Sequence, residues 1–124
     1  MKFERIVFTV AGVWGLLILT PHYFAERHIG HDHPPAITHP EFFYGFIGVA
    51  IAWQIAFLII GRDPVRYRPL MIAAMIEKFS FVIACVALFT HGRLDTPFLV
   101  GAIIDLVLGI LFVVAYVKSA KATG

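Results

Sequence analysis

The sequence predicts an all-α fold, a bundle of four helices that cross a membrane with both chain termini in the cytoplasm. Three observations lead to this prediction. The chain is 60% apolar and 15% charged, whereas soluble domains are about 45–50% apolar and about 25% charged. It contains four runs that approach or exceed the roughly 20 mostly apolar residues that a membrane-spanning helix needs. Its basic residues gather next to the ends of those runs.

The first predicted span covers about residues 3–20, and the second covers about residues 42–60. The chain begins Met1-Lys2-Phe3-Glu4-Arg5, which is similar to the charged start of a signal peptide. Glu4 and the lack of a clear A-x-A cleavage site favour an uncleaved helix instead. Pro40 precedes the second span, where a proline costs no internal hydrogen bond.

The third predicted span covers about residues 70–90, and the fourth covers about residues 98–117. Asp95 or Thr96 could cap the start of the fourth helix. The connections are a histidine-rich outer loop over residues 21–41, a basic loop over residues 61–69 and a short turn over residues 91–96. We therefore expect one transmembrane domain over residues 1–124.

Lysine and arginine counts set the expected orientation, because cytoplasmic loops are enriched in these residues. In a four-span topology, two of the basic residues outside the spans, Arg27 and Arg93, fall on one side of the membrane. The seven others share the opposite side, which we therefore assign to the cytoplasm: Lys2, Arg5, Arg62, Arg66, Arg68, Lys118 and Lys121. The same topology places every histidine on the outer side or at its boundary: His22, His28, His31, His33, His39 and His91.

Four polar side chains are predicted to form a buried cluster within the spans. Glu77 and Lys78 interrupt the third apolar run, and a charge at membrane depth costs about 2.5–3.5 kcal/mol on insertion scales. A rise of about 1.5 Å per residue puts Gln54 at their level and Asp105 within reach of an extended lysine. Such residues usually face a bundle interior and find a partner.

Three roles for this cluster are open at the level of sequence. It could be a structural ion pair that fixes the helix register. It could instead be a ligand pocket or proton-handling site, in which two carboxylates leave one acid in excess of Lys78. In the third alternative, Lys78 extends to the cytoplasmic interface and leaves Glu77 near the membrane edge.

Small residues predict where the helices approach closely. Gly48, Ala52 and Ala56 form a small-xxx-small stripe on the second span, and Gly101 and Gly109 flank Asp105 on the fourth at the same spacing. Stripes of this kind let helix backbones come together in membranes.

The outer loop has a candidate metal site in His28, His31, Asp32 and His33. Imidazole and carboxylate groups bind zinc and other transition metals, although this spacing matches no specific metal motif. Two alternatives are a polar cap on the bundle and axial ligation of a haem or chlorophyll-type pigment. The candidate axial ligands are the boundary histidines His22, His39 and His91.

The basic loop carries Arg62, Arg66 and Arg68 within seven residues. These side chains are expected to set the topology and to bind anionic lipid headgroups, with an attraction of about 1 kcal/mol of binding free energy per basic residue. A specific anionic ligand is the alternative.

The chain resembles the small four-helix bacterial membrane proteins of the DoxX-like kind over about residues 42–117. The matching residues are Phe43-Tyr44-Gly45-Phe46-Ile47-Gly48, the basic loop and Asp105-Leu106-Val107-Leu108-Gly109. The histidine-rich loop and the Glu77-Lys78 pair have no counterpart in that group. The resemblance implies a bacterial cytoplasmic-membrane protein, either an accessory subunit of a larger complex or a binder of small hydrophobic molecules.

Three functions are compatible with the sequence. The first is a non-catalytic accessory or scaffold subunit that binds other membrane subunits or itself within the lipid bilayer. The second binds or transports a proton, metal ion or quinone- or lipid-like molecule through Gln54, Glu77, Lys78 and Asp105. The third is an enzyme with Glu77 and Asp105 as an acid/base pair, which no cofactor or nucleophile motif supports. A net charge of +2 gives no basis for a nucleic-acid partner.

Overall fold

The computed structural model describes the backbone of residues 2–123 and the side chains of residues 2–120. This part of the chain is helical, and four of its helices are long and apolar enough to cross a membrane. Both predictions, the all-α class and the four long apolar helices, are confirmed. The elements are α1 (Lys2–Leu19), a 3-10 helix (Thr20–Phe24), α2 (Glu26–Asp32), α3 (Pro40–Arg62), α4 (Leu70–Thr90) and α5 (Thr96–Thr123).

The segment between the first two spans contains more structure than the predicted loop. The 3-10 helix continues α1, and α2 follows it directly. Backbone hydrogen bonds of 2.8 Å run from Ile29 N to Ala25 O and from His33 N to Ile29 O. These bonds satisfy the backbone groups locally. The segment over residues 20–39, which we call the outer segment, is therefore partly helical.

The four long helices pack as two pairs. α1 lies along α3 and α4 lies along α5, while contacts between α1 and α5 join the pairs. α3 and α4 touch over only a few residues. This uneven packing leaves a gap between α3 and α4.

The start of α1, the last turns of α5 and the basic loop lie at one end of the bundle, which we call the basic end. Lys118 Nζ lies 4.5 Å from the centre of the Phe3 ring. Arg68 donates hydrogen bonds of 3.1 and 2.9 Å to Tyr116 O, near the end of α5. The side chain of Lys121 lies outside the described residues. At the opposite end, the histidine end, the carboxylate of Asp95 accepts a 2.7 Å hydrogen bond from His33 Nδ1.

The dry core fills the half of the bundle nearest the basic end. Phe8 and Phe112 stack with ring centres 4.3 Å apart, and Phe57 meets Phe112 edge-on at 5.0 Å. All three side chains are fully buried. Interdigitated packing of this kind supplies much of helix association in a membrane, where lipid removes the hydrophobic driving force between helices. The core also includes Val7, Ala11, Ile60, Met71, Ala74 and Ala115.

Large apolar side chains cover the outside of the bundle. Leu17, Ile83 and Val117 are 60–69% exposed, and at most one third of the most apolar window of each long helix is buried. A soluble monomer rarely exposes so much continuous apolar surface. The outer surface therefore suits contact with lipid tails.

The tightest helix contacts occur at glycines outside the stripes that the sequence predicted. A Cβ atom on Gly12 would lie 2.7 Å from the backbone oxygen of Gln54, and one on Gly61 would lie 2.6 Å from Thr9 Oγ1. On the predicted stripes, Gly109 packs against Phe79, but Gly101 has open space around it. The prediction was wrong for Gly101 because that part of α5 faces the gap and not a helix.

We expect Gly12→Ala to destabilise the fold by about 1–3 kcal/mol, the usual range for overpacking. The added methyl group would meet backbone, which cannot yield as a flexible side-chain end can. Gly45→Ala is the matched control, because nothing lies within 4 Å of its added Cβ. Thermal unfolding of both variants in mild detergent checks the difference, and equal melting temperatures would contradict the tight contact between α1 and α3.

Candidate functional site

A large cavity opens between α3 and α4 in the histidine half of the bundle. Its volume is about 1290 Å³, above the roughly 300–1,000 Å³ typical of small-molecule pockets. The wall is mostly apolar, and it includes both tryptophans of the chain. Its aromatic members are Trp14, Phe42, Phe43, Phe46, Trp53, Phe81 and Phe98.

The cavity follows from small side chains as well as from the loose contact between α3 and α4. Gly45 on α3 and Gly101 on α5 both line it, and neither has an atom within 4 Å of an ideal Cβ position. Ala73 and Ser80 line it from α4. Nearer the basic end, the facing positions carry the interlocked phenylalanine rings described above.

Lys78 joins two carboxylates at the inner end of the cavity, the end nearest the dry core. Its Nζ donates a 3.2 Å hydrogen bond to Asp105 Oδ1 and lies 3.7 Å from Glu77 Oε2. The ammonium also lies 5.3 Å from the centre of the Phe57 ring. The Lys78 side chain is 5% exposed, while those of Glu77 and Asp105 are 21% and 22% exposed. The cluster therefore presents carboxylate groups to the cavity and keeps the ammonium behind them.

Gln54 lines the same cavity from α3 and is 1% exposed. Its Nε2 donates a 2.8 Å hydrogen bond to Ala50 O. Its Oε1 packs against Gly15 and accepts no hydrogen bond from the described residues. Glu77 Oε2 is also buried without a hydrogen-bond donor among them. Buried acceptors without partners are uncommon in native proteins, and each calls for an explanation.

The structure brings together the four residues of the predicted cluster, although the contacts differ from one residue to the next. Lys78 bonds Asp105 across the α4–α5 interface, as the depth estimate suggested. Gln54 shares the cavity but bonds its own helix. Lys78 is buried and directed at Asp105, so the alternative in which it extends to the membrane interface is not the arrangement observed.

The outer segment covers the mouth of the cavity. Ile29 and Ile37 contribute to the cavity wall, and the His33–Asp95 hydrogen bond fastens the segment to the turn before α5. Tyr23 stacks on Tyr44 of α3 with ring centres 6.2 Å apart. The sequence offered a polar cap on the bundle as one role for this segment; it did not predict that the segment covers a cavity, although the isoleucines within a polar, histidine-rich stretch were a signal.

The candidate metal ligands do not converge on one point. His28 Nε2 and His31 Nδ1 lie 3.4 and 3.2 Å from Asp32, whereas His33 turns away to Asp95. Over the side chains of residues 2–120, no group of three histidine, cysteine or acidic residues is placed to hold a metal ion. Metal binding at His28, His31, Asp32 and His33 stays a prediction that would need a rearrangement of this segment.

The boundary histidines each have a local partner at Nδ1. His22 and His91 donate 2.8 Å hydrogen bonds to the carbonyls of Ile18 and Ala87, four residues earlier in each case. The His39 Nδ1 lies 3.0 Å from Glu41. Of these three, His22 alone lines the cavity. Ligation of a haem or pigment by any of them stays a prediction.

The three arginines of the basic loop differ in their surroundings. Arg62 and Arg66 are exposed and remain suited to lipid headgroups. Arg68 instead bonds Tyr116 O and Ser119 Oγ and stacks 3.7 Å from the Tyr116 ring centre. It therefore fastens the basic loop to the end of α5 and is the least available of the three for an external anion.

Comparison with protein families, curated proteins and solved structures finds no match. The resemblance to DoxX-like proteins over residues 42–117 therefore stays a prediction, and the function is argued from the cavity and its residues.

Proposed function

We propose that the chain is a multi-pass protein of the bacterial cytoplasmic membrane with both termini in the cytoplasm. Four long apolar helices and an apolar outer surface support insertion. The orientation is supported by the basic residues, most of which gather at the end where α1 begins and α5 finishes. A C-terminal reporter that is fluorescent only in the cytoplasm should be bright, and a dark reporter would reverse the orientation.

We further propose that the protein binds a small, largely apolar molecule in the cavity between α3 and α4. The observation that carries this proposal is an aromatic cavity of about 1290 Å³ with a polar cluster at its inner end. Apolar pockets with a few convergent polar groups are typical of ligand sites. The apolar wall would hold the body of the ligand, and Glu77 and Asp105 would orient its polar group.

The binding function has direct support that the other two hypotheses lack. An accessory or scaffold subunit needs a docking surface, but the exposed apolar faces suit lipid equally well. An enzyme with Glu77 and Asp105 as acid and base would first have to bind its substrate in this cavity, so the geometry supports binding before it supports catalysis. A structural role for Lys78 is compatible with binding, because the same ion pairs hold α4 to α5.

Gentle purification from native membranes tests the binding function. Native mass spectrometry of the intact particle should detect a small amphipathic molecule in stoichiometric amount, and solvent extraction should release it. An absorption spectrum of the same particle tests the predicted haem or pigment. A particle that contains large partner subunits and no retained small molecule would favour the accessory role instead.

A further inference from the structure

The charges around the cavity are unbalanced. With ordinary ionisation, Glu77 and Asp105 supply two negative charges and Lys78 supplies one positive charge. The other titratable groups of the wall are Glu41, which lies 3.0 Å from His39, and His22, which bonds its own helix. No arginine and no second lysine lines the cavity among the described residues. The inner end of the cavity therefore carries one uncompensated negative charge.

The positive charge of Lys78 is not available to a ligand. Its Nζ lies between Asp105 and Glu77, at 3.2 and 3.7 Å, and faces the Phe57 ring. The carboxylates are about four times more exposed than the lysine side chain. An anionic ligand would therefore meet carboxylate oxygens first, and like charges in a site with little water repel strongly.

Gln54 is an independent indication that the cavity disfavours an anionic ligand. It is almost fully buried in the cavity wall, and its acceptor oxygen has no partner among the described residues. A carbonyl dipole without a hydrogen-bond donor, and a carboxylate oxygen that shares one ammonium 3.7 Å away with Asp105, both favour a ligand that brings positive charge or donors. Neither is satisfied by a ligand whose polar end only accepts hydrogen bonds.

The aromatic wall suits a cation as well as an apolar body. Phe46 of α3 and Phe81 of α4 stack across the gap with ring centres 6.4 Å apart, and Trp14 and Trp53 lie on the same cavity. The faces of aromatic rings attract cations, most strongly when water is excluded. The wall can thus hold both the apolar and the charged part of one molecule.

We propose that the cavity selects an apolar molecule that carries a single positive charge, a lipophilic organic cation. Binding would neutralise the excess carboxylate charge beside Lys78, which a buried site otherwise leaves uncompensated. This proposal rests on the proposed binding function and specifies the chemical class of its ligand.

Two ions of the same shape and opposite charge test the proposal. Tetraphenylphosphonium and tetraphenylborate are titrated into the full chain in an uncharged detergent, and binding is followed by tryptophan fluorescence and calorimetry. A bromine-labelled long-chain alcohol serves as the neutral probe. We expect the cation to bind more tightly than the anion by about tenfold or more, the effect of one desolvated charge pair.

Glu77→Gln should reduce the ratio of cation affinity to anion affinity by about tenfold. Asp105→Asn provides a second test should the first variant fold poorly. Asp63→Asn is the matched control, since Asp63 follows α3 at the basic end, away from the cavity. Equal affinity for the two ions, or tighter binding of tetraphenylborate, would overturn cation selection. If the alcohol still binds in that case, the binding function survives; if no probe binds, both proposals fail.

Discussion

Lys78→Met is expected to destabilise the protein by about 3–5 kcal/mol, the usual cost of removing one partner from a buried ion pair. The substitution leaves Glu77 and Asp105 facing the same space without the ammonium that now lies 3.7 and 3.2 Å from them. Methionine keeps nearly the same length and apolar stem, so the loss reports charge rather than volume. The free energy of unfolding, measured in mild detergent by steric trapping or denaturant titration, checks this value.

The matched control removes all three charges together. The variant Glu77→Gln/Lys78→Met/Asp105→Asn leaves no uncompensated charge, so it should recover most of the stability lost in Lys78→Met. Replacing a whole buried ionic group is often close to neutral, whereas breaking it is not. If the single and triple variants are equally unstable, the contacts of Lys78 matter through packing against Phe57 and not through charge.

Gly101→Phe should weaken binding of a neutral apolar probe by about tenfold or more while preserving the fold. Gly101 lies one helical turn before Asp105 on α5, and it lines the cavity with open space around its Cβ position. The added ring would therefore occupy the volume next to the polar cluster. We expect affinity to fall by about tenfold or more, since overpacking a ligand site costs about 1–3 kcal/mol.

Ala84→Phe is the control for this variant, because Ala84 lies on the exposed face of α4 and does not line the cavity. It should bind the probe as the unmodified protein does. A Gly101→Phe variant that melts at the normal temperature and keeps full affinity would place the binding site elsewhere.

The division of the bundle into two halves explains how one small chain can be both stable and hollow. Large rings of α1, α3 and α5 interlock near the basic end. Smaller residues such as Gly45, Ser80 and Gly101 face the gap toward the histidine end. The Lys78–Asp105 bond lies where these halves meet and joins α4 to α5. Stability is thus concentrated in one half, which leaves the other free for a ligand.

The sequence was sufficient for the four long helices and for the pairing of two distant charges, but not for the 3-10 helix and α2. The third predicted span, residues 70–90, coincides with α4, because apolar composition and flanking prolines mark helix ends well. α5 extends beyond its predicted end at residue 117 to Thr123, since its last turns are polar and carry no membrane signal. The Lys78–Asp105 contact followed from the helical rise alone.

The cavity could not be predicted, because it depends on how each helix is rotated and on which pairs separate. Small residues were recognised on the second and fourth spans, but composition does not distinguish a glycine that admits a neighbouring helix from one that faces open space. Gly12 belongs to the first kind and Gly101 to the second. The covering role of the outer segment depended in turn on the His33–Asp95 bond between distant parts of the chain.

Quenching of Trp53 fluorescence by a bromine-labelled long-chain alcohol tests the central claim most directly. In a Trp14→Phe background, Trp53 is the remaining tryptophan, and it lines the cavity. If the cavity binds apolar molecules, quenching should saturate at one alcohol per chain and should be lost in Gly101→Phe. Quenching that rises linearly without saturation, and equally in both variants, would show only partition into detergent and would contradict a binding site between α3 and α4.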